Sequence, residues 1–147
     1  MSKTGSMVKF VDYNLPKLQT TYTNLNVRVR KIYVAGAVKI FYQVSNEGQY
    51  GTKTASVDLI ELEDIIKAVE ALVKDAEADA ADNPDYLENK YVLQDGGNIG
   101  YLVNKGKLTW YFTLEKYGRD NTVFLKSMDG LRQSLIDGRS KIQSLTK

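Results

Sequence analysis

The sequence predicts an α+β fold of two tandem repeats, each with four antiparallel strands packed with one helix. The chain has 147 residues, which is enough for one domain with a sizeable core. Its hydrophobic pattern changes twice from the alternation typical of strands to the three- and four-residue spacing typical of helices. The two halves also match each other position by position, as an internal repeat does.

The domain boundaries follow from the same pattern. We place a single domain at 7–147, with one repeat at 7–82 and the other at 86–147. Residues 1–6 precede a second methionine, and we interpret them as a disordered leader or a cloning remnant. Asn83-Pro84 separates the repeats, because the residue before a proline is disfavoured in helical conformation.

In the first repeat, β-branched and aromatic residues predict four strands, at 8–13, 27–34, 37–45 and 52–59. Ala35-Gly36 is predicted to be the hairpin turn between the second and third strands. Residues 14–26 are polar and contain Pro16, so we expect a loop there. A helix at 60–81 is predicted by an apolar stripe that consists of Leu62, Ile65, Ile66, Val69, Leu72, Val73 and Ala76.

The second repeat repeats this order. Strands are predicted at 90–94, 99–104, 107–115 and 122–126, with glycine-containing turns at 95–97, 105–106 and 118–120. The last helix should begin near Ser127, which we expect to be its N-cap. Gly130 and Gly138 weaken this helix by about 1 kcal/mol each relative to alanine. Its apolar stripe consists of Met128, Leu131, Leu135, Ile142 and Leu145.

The internal repeat is visible at two offsets. At an offset of 70 residues Gly36 falls on Gly106. The third strands align at the same offset, which matches Val38, Ile40, Tyr42 and Val44 with Leu108, Trp110, Phe112 and Leu114. An offset of 66 matches Val57, Leu59, Leu62, Ile65 and Val69 with Val123, Leu125, Met128, Leu131 and Leu135. Two such units bury their apolar faces better together than alone.

The composition excludes many kinds of enzyme. The chain has no Cys and no His, which excludes thiol nucleophiles, imidazole bases and most zinc sites. Four helical acids, Asp75, Glu77, Asp79 and Asp82, lack the glycine and closing glutamate of a calcium loop and fit a solvated face. We identify no active site and predict a non-enzymatic protein without a cofactor. No apolar run approaches the roughly 20 residues of a membrane span, so we expect a cytoplasmic protein.

Charge is distributed unevenly along a chain whose formal net charge is +2. Residues 58–95 contain 12 acids and 3 bases, a net charge of −9, while the remaining residues carry +11. This asymmetry permits one face that attracts a polyanion and another that repels it. An ordinary solvated surface is the alternative explanation.

Strand alternation divides the predicted sheet residues into an inner and an outer face. The aligned third-strand residues should face a helix, with Trp110 in the core. The outer face and its turns then hold a basic and aromatic set: Arg28, Arg30, Lys39, Phe41, Lys105, Lys107, Tyr111, Phe124 and Lys126. Cations neutralise phosphates, and a base stacked on an aromatic ring gains roughly 1–3 kcal/mol. Packing of the outward rings against another subunit is the alternative.

The tandem units, over residues 7–145, resemble the Whirly single-stranded DNA-binding fold, whose single-unit relative is the dimeric positive-coactivator domain of transcription. Lys105-Gly106-Lys107-Leu108 is similar to the Lys-Gly-Lys-Ala strand motif that the family carries in its first repeat. With the basic face, the resemblance implies binding of single-stranded DNA, or of RNA, with little sequence preference. Unpaired sheet edges favour a homo-oligomer, a dimer or tetramer. A protein-interaction or inhibitor protein, viral for instance, and a small-ligand sponge stay open as alternatives.

Overall fold

The computed structural model describes residues 5–48, 51–117 and 121–146, and it confirms the predicted α+β architecture. Each of two four-stranded antiparallel sheets is followed by a helix. Sheet 1 consists of β1 (Val8–Gln19), β2 (Asn24–Val34), β3 (Ala37–Gly48) and β4 (Gly51–Val57), followed by α1 (Leu59–Ala81). Sheet 2 consists of β5 (Tyr86–Val92), β6 (Asn98–Asn104), β7 (Lys107–Thr113) and β8 (Thr122–Leu125), followed by α2 (Asp129–Leu145). Within the described ranges, no helix is long and apolar enough to cross a membrane.

Both sheets are meanders, and their central hairpins turn in the same way. Ala35 and Gly36 have φ angles of 50° and 79°, and Lys105 and Gly106 have φ angles of 52° and 82°. Two consecutive positive φ angles are the signature of the two-residue hairpin turn whose twist matches the strands. Gly36 and Gly106 therefore occupy equivalent turns, as the offset of 70 predicts.

The prediction of a loop at 14–26 is wrong, because β1 continues to Gln19 and β2 begins at Asn24. Pro16 lies where the register of β1 against β2 shifts, between Leu15 and Leu18. β1 is an edge strand, and an edge strand tolerates a proline at a bulge because no further strand requires its N–H. The polar composition of this segment reflects its exposed edge.

The helix ends differ between the repeats. Asp58 is the N-cap of α1, with its Oδ1 accepting a 2.9 Å hydrogen bond from the backbone N–H of Glu61. The prediction of Ser127 as the N-cap of α2 is wrong: Met128 is the N-cap, and Ser127 Oγ accepts only a 3.4 Å bond from the N–H of Asp129. α2 thus begins without a close side-chain cap.

The offset of 66 is only partly confirmed. Val57 pairs with Tyr42, and Val123 pairs with Phe112, which is the equivalent position at the offset of 70. The match of Leu59 with Leu125 is wrong, because Leu59 begins a helix while Leu125 still pairs within a sheet. Strand β5 also lies earlier than the predicted 90–94, and the predicted turn at 118–120 lies outside the described residues.

The two helices pack crosswise. α2 packs against β1, β2 and β3 of sheet 1, whereas α1 packs against β5, β6 and β7 of sheet 2 and also contacts β3. The Tyr42 hydroxyl on β3 lies 2.6 Å from Ser134 Oγ on α2. The Tyr101 hydroxyl on β6 donates a hydrogen bond to Asp79 on α1. Each repeat therefore covers the sheet of the other, and both share one core.

The inner sheet faces and the helices form this core, in which Tyr101, Leu62, Ile65 and Leu135 are fully buried. Trp110 is 8% exposed and meets Tyr101 edge to face with ring centroids 4.9 Å apart, which confirms its predicted core position. Val38 does not face a helix as predicted. It is 52% exposed, because β3 extends beyond the cover of the helix at this end.

Gly138 marks the closest approach of α2 to sheet 1. A Cβ at this position would lie 2.9 Å from Tyr42 Cε1 and closer still to Cδ1, and the Tyr42 ring is buried. We expect Gly138→Ala to lower the free energy of unfolding by about 1–3 kcal/mol, because overpacking outweighs the better helix propensity of alanine. Urea unfolding measures this change.

Gly130 on the same helix supplies the matched control. A Cβ there would lie 3.5 Å from Leu18 Cδ1, which is an ordinary contact. Gly130→Ala should leave stability unchanged or raise it by up to about 1 kcal/mol. If both alanine variants stabilise the protein alike, the close contact between α2 and Tyr42 does not limit stability.

Candidate nucleic-acid interface

Four of the nine predicted site residues lie together on the outer face of sheet 1, the face turned away from α2. On this face Arg30 is opposite Phe41, Lys39 is opposite Ile32, and Arg28 is opposite Gln43. The inner face of the same strands holds buried residues such as Val29 and Tyr42, so the register fixes which side chains point outward. The structure therefore brings Arg28, Arg30, Lys39 and Phe41 onto one surface.

Arg30 is the centre of this surface and is held by two partners. Its Nε donates a 2.7 Å hydrogen bond to Asp12 Oδ1, and its Nη2 donates a 2.9 Å bond to Asp12 Oδ2. The hydrogen bond from Arg30 lowers the pKa of Asp12, and the same bond raises the pKa of Arg30. The Arg30 guanidinium also lies 4.9 Å from the centre of the Phe10 ring. Asp12 thus occupies the side of the Arg30 guanidinium that can also bind a phosphate through two hydrogen bonds.

Arg28 is anchored by a short polar chain. Its Nε donates a 2.9 Å hydrogen bond to Gln43 Oε1, and Gln43 Nε2 donates a 3.2 Å bond to Ser56 Oγ. Gln43 is 8% exposed, although it lies on the outer face, because these neighbours surround it. Partial burial lowers the pKa of Arg28, and the charge of Arg30 adds to this effect. A guanidinium stays protonated at neutral pH, so with Arg30 paired to Asp12 the net positive charge of this surface comes from Arg28 and Lys39.

Phe10 belongs to this surface, although it is not among the residues predicted from the sequence. Its ring is 57% exposed, and it lies opposite Ile32 on β2. Val8, Phe10 and Asp12 alternate along the chain, which places them on one face of a strand. Which face of sheet 1 this is can be assigned only once the register of β1 against β2 is known. Lys39 is exposed and forms no ion pair with any residue that the structure describes.

The other five predicted residues lie on sheet 2 or beside it. Lys107, Tyr111 and Phe124 are on the outer face of sheet 2, Lys105 is in the β6–β7 turn, and Lys126 follows β8. Phe124 is 40% exposed, and the three lysines are exposed. The single outer face that the sequence analysis predicted is therefore divided between two sheets.

Tyr111 points outward as predicted but is not available for stacking. It is 5% exposed, and its hydroxyl donates a hydrogen bond to Glu88 Oε2 on β5. Gly100 on β6 is the residue opposite Tyr111. A Cβ at Gly100 would meet the backbone of Asn89 and Lys90. Burial raises the pKa of Tyr111, and the hydrogen bond to Glu88 raises it further. The ring is part of the packing of sheet 2 in the described structure.

Arg28, Arg30 and Lys39 have no basic counterparts in the second repeat. At the offset of 70, Arg28 corresponds to Asn98, Arg30 to Gly100 and Lys39 to Thr109, and the equivalent β6–β7 hairpin confirms this alignment. Phe41 corresponds to Tyr111, whose ring is buried. The duplicated unit thus retains its core pattern while its outer faces differ.

Two concave regions of the described structure are relevant to the binding of a small ligand. An open cleft of about 370 Å³ at the start of α2 is lined by Lys17, Lys126 and Ser127, among others. Between the repeats, the cavity lined by Tyr42, Ile65 and Phe112 among others measures only about 10 Å³. That interior space is too small for a metabolite.

Comparison of the chain with protein-family models, with curated proteins and with solved structures gave no match.

The Tyr111–Glu88 contact gives a prediction about stability and pH. Tyr111→Phe should lower the free energy of unfolding at pH 7 by about 1–3 kcal/mol, the range for a hydrogen bond to a charged group. The bond from Tyr111 lowers the pKa of Glu88. Its stabilisation should therefore be complete above the ordinary glutamate pKa and disappear as the pH falls through the lowered pKa of Glu88. Urea unfolding of both proteins between neutral and acidic pH measures the difference.

Tyr22→Phe is the matched control, because Tyr22 is 88% exposed and makes no hydrogen bond in the described structure. This variant should be as stable as the parent protein at every pH. A Tyr111→Phe protein with parental stability at neutral pH would show that the buried contact contributes nothing.

Proposed function

We propose that this chain is a cytoplasmic, non-enzymatic protein that binds single-stranded nucleic acid with little sequence preference. The observation that supports this most directly is the outer face of sheet 1, where Arg28, Arg30 and Lys39 are interleaved with Phe10 and Phe41. The cations neutralise phosphates, and the exposed Phe10 ring and the half-buried Phe41 ring offer planes on which unpaired bases stack. The preference for DNA over RNA rests on the resemblance to the Whirly fold.

The same residues account for the weak sequence preference. Phosphate contacts position a strand without reading its bases, and stacking accepts every base because each has a π-face. The acidic helix α1 packs against sheet 2 and exposes Asp64, Glu70 and Glu77, among others. These carboxylates disfavour a polyanion on that side and help to direct a strand to sheet 1.

A protein-interaction role is the second candidate, and one observation favours it. Met7 is 91%, Phe10 57% and Val38 52% exposed, and they lie with Val8 at one end of sheet 1, among the exposed Lys9 and Lys39. Exposed apolar groups of this kind occur at protein interfaces. The small-ligand sponge has less support, since the enclosed space between the repeats is about 10 Å³ and the 370 Å³ cleft at the start of α2 is open to solvent.

We also propose that the chain forms a homo-oligomer, either a dimer or a tetramer. β5 is an edge strand of sheet 2 and carries Tyr86 and Val92, each 59% exposed. Symmetric association is a common way to cover such an edge. Light scattering at micromolar concentration should give two or four times the 16.5 kDa chain mass, and a monomer would contradict the proposal.

Titration of a labelled oligonucleotide at two salt concentrations tests the binding function. The parent protein should bind, with an association constant that falls steeply as salt increases. The triple variant Arg28→Ala, Arg30→Ala, Lys39→Ala should bind weakly to all sequences alike and show a flatter salt dependence, because it has lost phosphate contacts. No binding by the parent protein at low salt would refute the proposal.

Asp12→Asn gives the matched change in the opposite direction. It removes the carboxylate that holds Arg30 and so releases the guanidinium for phosphate. Affinity should rise and the salt dependence should steepen. The Arg30–Asp12 pair is partly exposed, so the stability cost should be within about 1 kcal/mol. A variant that binds more weakly than the parent protein would place the nucleic acid elsewhere.

A further inference from the structure

The end of sheet 1 carries a second cationic and aromatic cluster on the opposite face. Beyond β4, sheet 1 continues as three strands, at 8–12, 30–34 and 37–41, which we call the arm. On the helix-side face of the arm, Lys9 is opposite Tyr33 on β2. Lys9 Nζ lies 4.7 Å from the centre of the Tyr33 ring, and Lys31 Nζ lies 5.3 Å from it. We call Lys9, Lys31 and Tyr33 the helix-side cluster.

The helix-side cluster is accessible to solvent in part: Lys9 is exposed, and Lys31 and Tyr33 are half-buried. Near the start of α2, Gly130 lies beside Leu18 of β1. Near its end, Lys141 Nζ lies 4.7 Å from the centre of the Tyr13 ring, also on β1. The helix ends at Leu145, one turn after Lys141. Val38, opposite Tyr33 on the same face, is 52% exposed, so the face is open to solvent there.

No acidic side chain among residues 5–48, 51–117 and 121–146 forms an ion pair with the helix-side cluster. Both ammonium groups lie near one ring, so they are at most about 10 Å apart. At that upper limit, which exceeds the Debye length of about 8 Å at physiological ionic strength, salt screens most of the repulsion between the two charges, and at any shorter separation it screens less. Neither lysine forms an ion pair with a residue that the structure describes. The one acid of the arm, Asp12, lies on the other face and binds Arg30. An anion would relieve this repulsion.

The unpaired edge of β3 connects the helix-side cluster with the proposed interface. Residues 37–41 have no β4 partner, and they contain no acid. Along this edge, Lys39 and Phe41 project to the outer face while Val38 and Ile40 project to the helix side. A flexible polyanion that binds Lys39 and Arg30 can therefore cross the edge without meeting a carboxylate.

We infer that the helix-side cluster is a second contact for the same single-stranded nucleic acid, which wraps around the β3 edge of the arm. This inference rests on the proposed function. Phosphates draw Lys9 and Lys31 away from the Tyr33 ring, and a base takes their place. That exchange replaces two exposed cation–π contacts with one stacked base and two phosphate contacts, which together contribute more.

Two lengths of oligonucleotide test the inference. One of about 4 nucleotides occupies the outer face alone, and one of about 16 is long enough to reach both faces, a range that single-strand sites span. The double variant Lys9→Gln, Lys31→Gln should bind the short one as the parent protein does. For the long one its salt slope should fall by about 1.4, the equivalent of two phosphate contacts.

Substitutions of Tyr33 test the stacking contact separately. Tyr33→Leu should weaken binding of the long oligonucleotide by roughly 5- to 150-fold, the affinity equivalent of one stacked base. Tyr33→Phe keeps the ring and should retain parental affinity. Thermal unfolding of each variant shows whether the fold is intact, and the comparison of leucine with phenylalanine separates the loss of the ring from the loss of the hydroxyl.

Lys67→Gln, Lys74→Gln is the matched control, because it makes the same charge change on exposed residues of α1. It should alter neither affinity nor salt slope at either length. If the parent protein binds neither oligonucleotide, the proposed function fails and this inference fails with it. If both lengths bind and the long one is unaffected by the cluster variants, only the wrapping is wrong. Variants that change the oligomer mass but not the affinity would assign this face to a contact between copies.

Discussion

The crosswise packing of the two helices is the constraint on which the rest of the structure depends. A four-stranded sheet with one apolar face cannot cover that face itself, and here each sheet is covered by the helix of the other repeat. Tyr42 meets Ser134 and Gly138, and Tyr101 meets Asp79, so residues far apart in the chain close the core. α1 also contacts β3 of its own sheet, but each sheet takes its main helix cover from the other repeat, and buried residues of both repeats form one core.

This arrangement leaves the outer sheet faces free to diverge, because the core depends only on the inner ones. The first repeat places Arg28 and Arg30 outward, whereas the second has Asn98 and Gly100 at the equivalent positions. In sheet 2, Tyr111 is instead bound to Glu88 as part of the packing. The shortness of β4 has a further consequence, since it leaves three strands of sheet 1 projecting as an arm with two accessible faces. Contacts of α2 with β1, β2 and β3 hold the base of the arm. The exposed residues of the arm are available to bind a ligand.

Several features of the site were predictable from alternation alone. Arg28, Arg30, Lys39 and Phe41 share a face because side chains two residues apart, and those directly opposite on a paired strand, project to the same side. Phe10 was not predictable, because its face depends on how the edge strand registers against β2 around the Pro16 bulge. The availability of Tyr111 was not predictable either. Whether an outward ring is exposed depends on a neighbour such as Glu88 from a strand whose position the sequence did not fix.

The sequence by itself determined the α+β class, the repeat and the positions of the two central hairpins. These follow from local rules: strand and helix periods differ, and Gly36 and Gly106 supply the positive φ that the turns require. Only the tertiary structure decided which sheet each helix covers, that Gly138 must lack a Cβ, and that the predicted outer face is split between two sheets. Those features depend on contacts between residues separated by dozens of positions, and hydrophobic periodicity specifies that a face is buried but not which partner buries it.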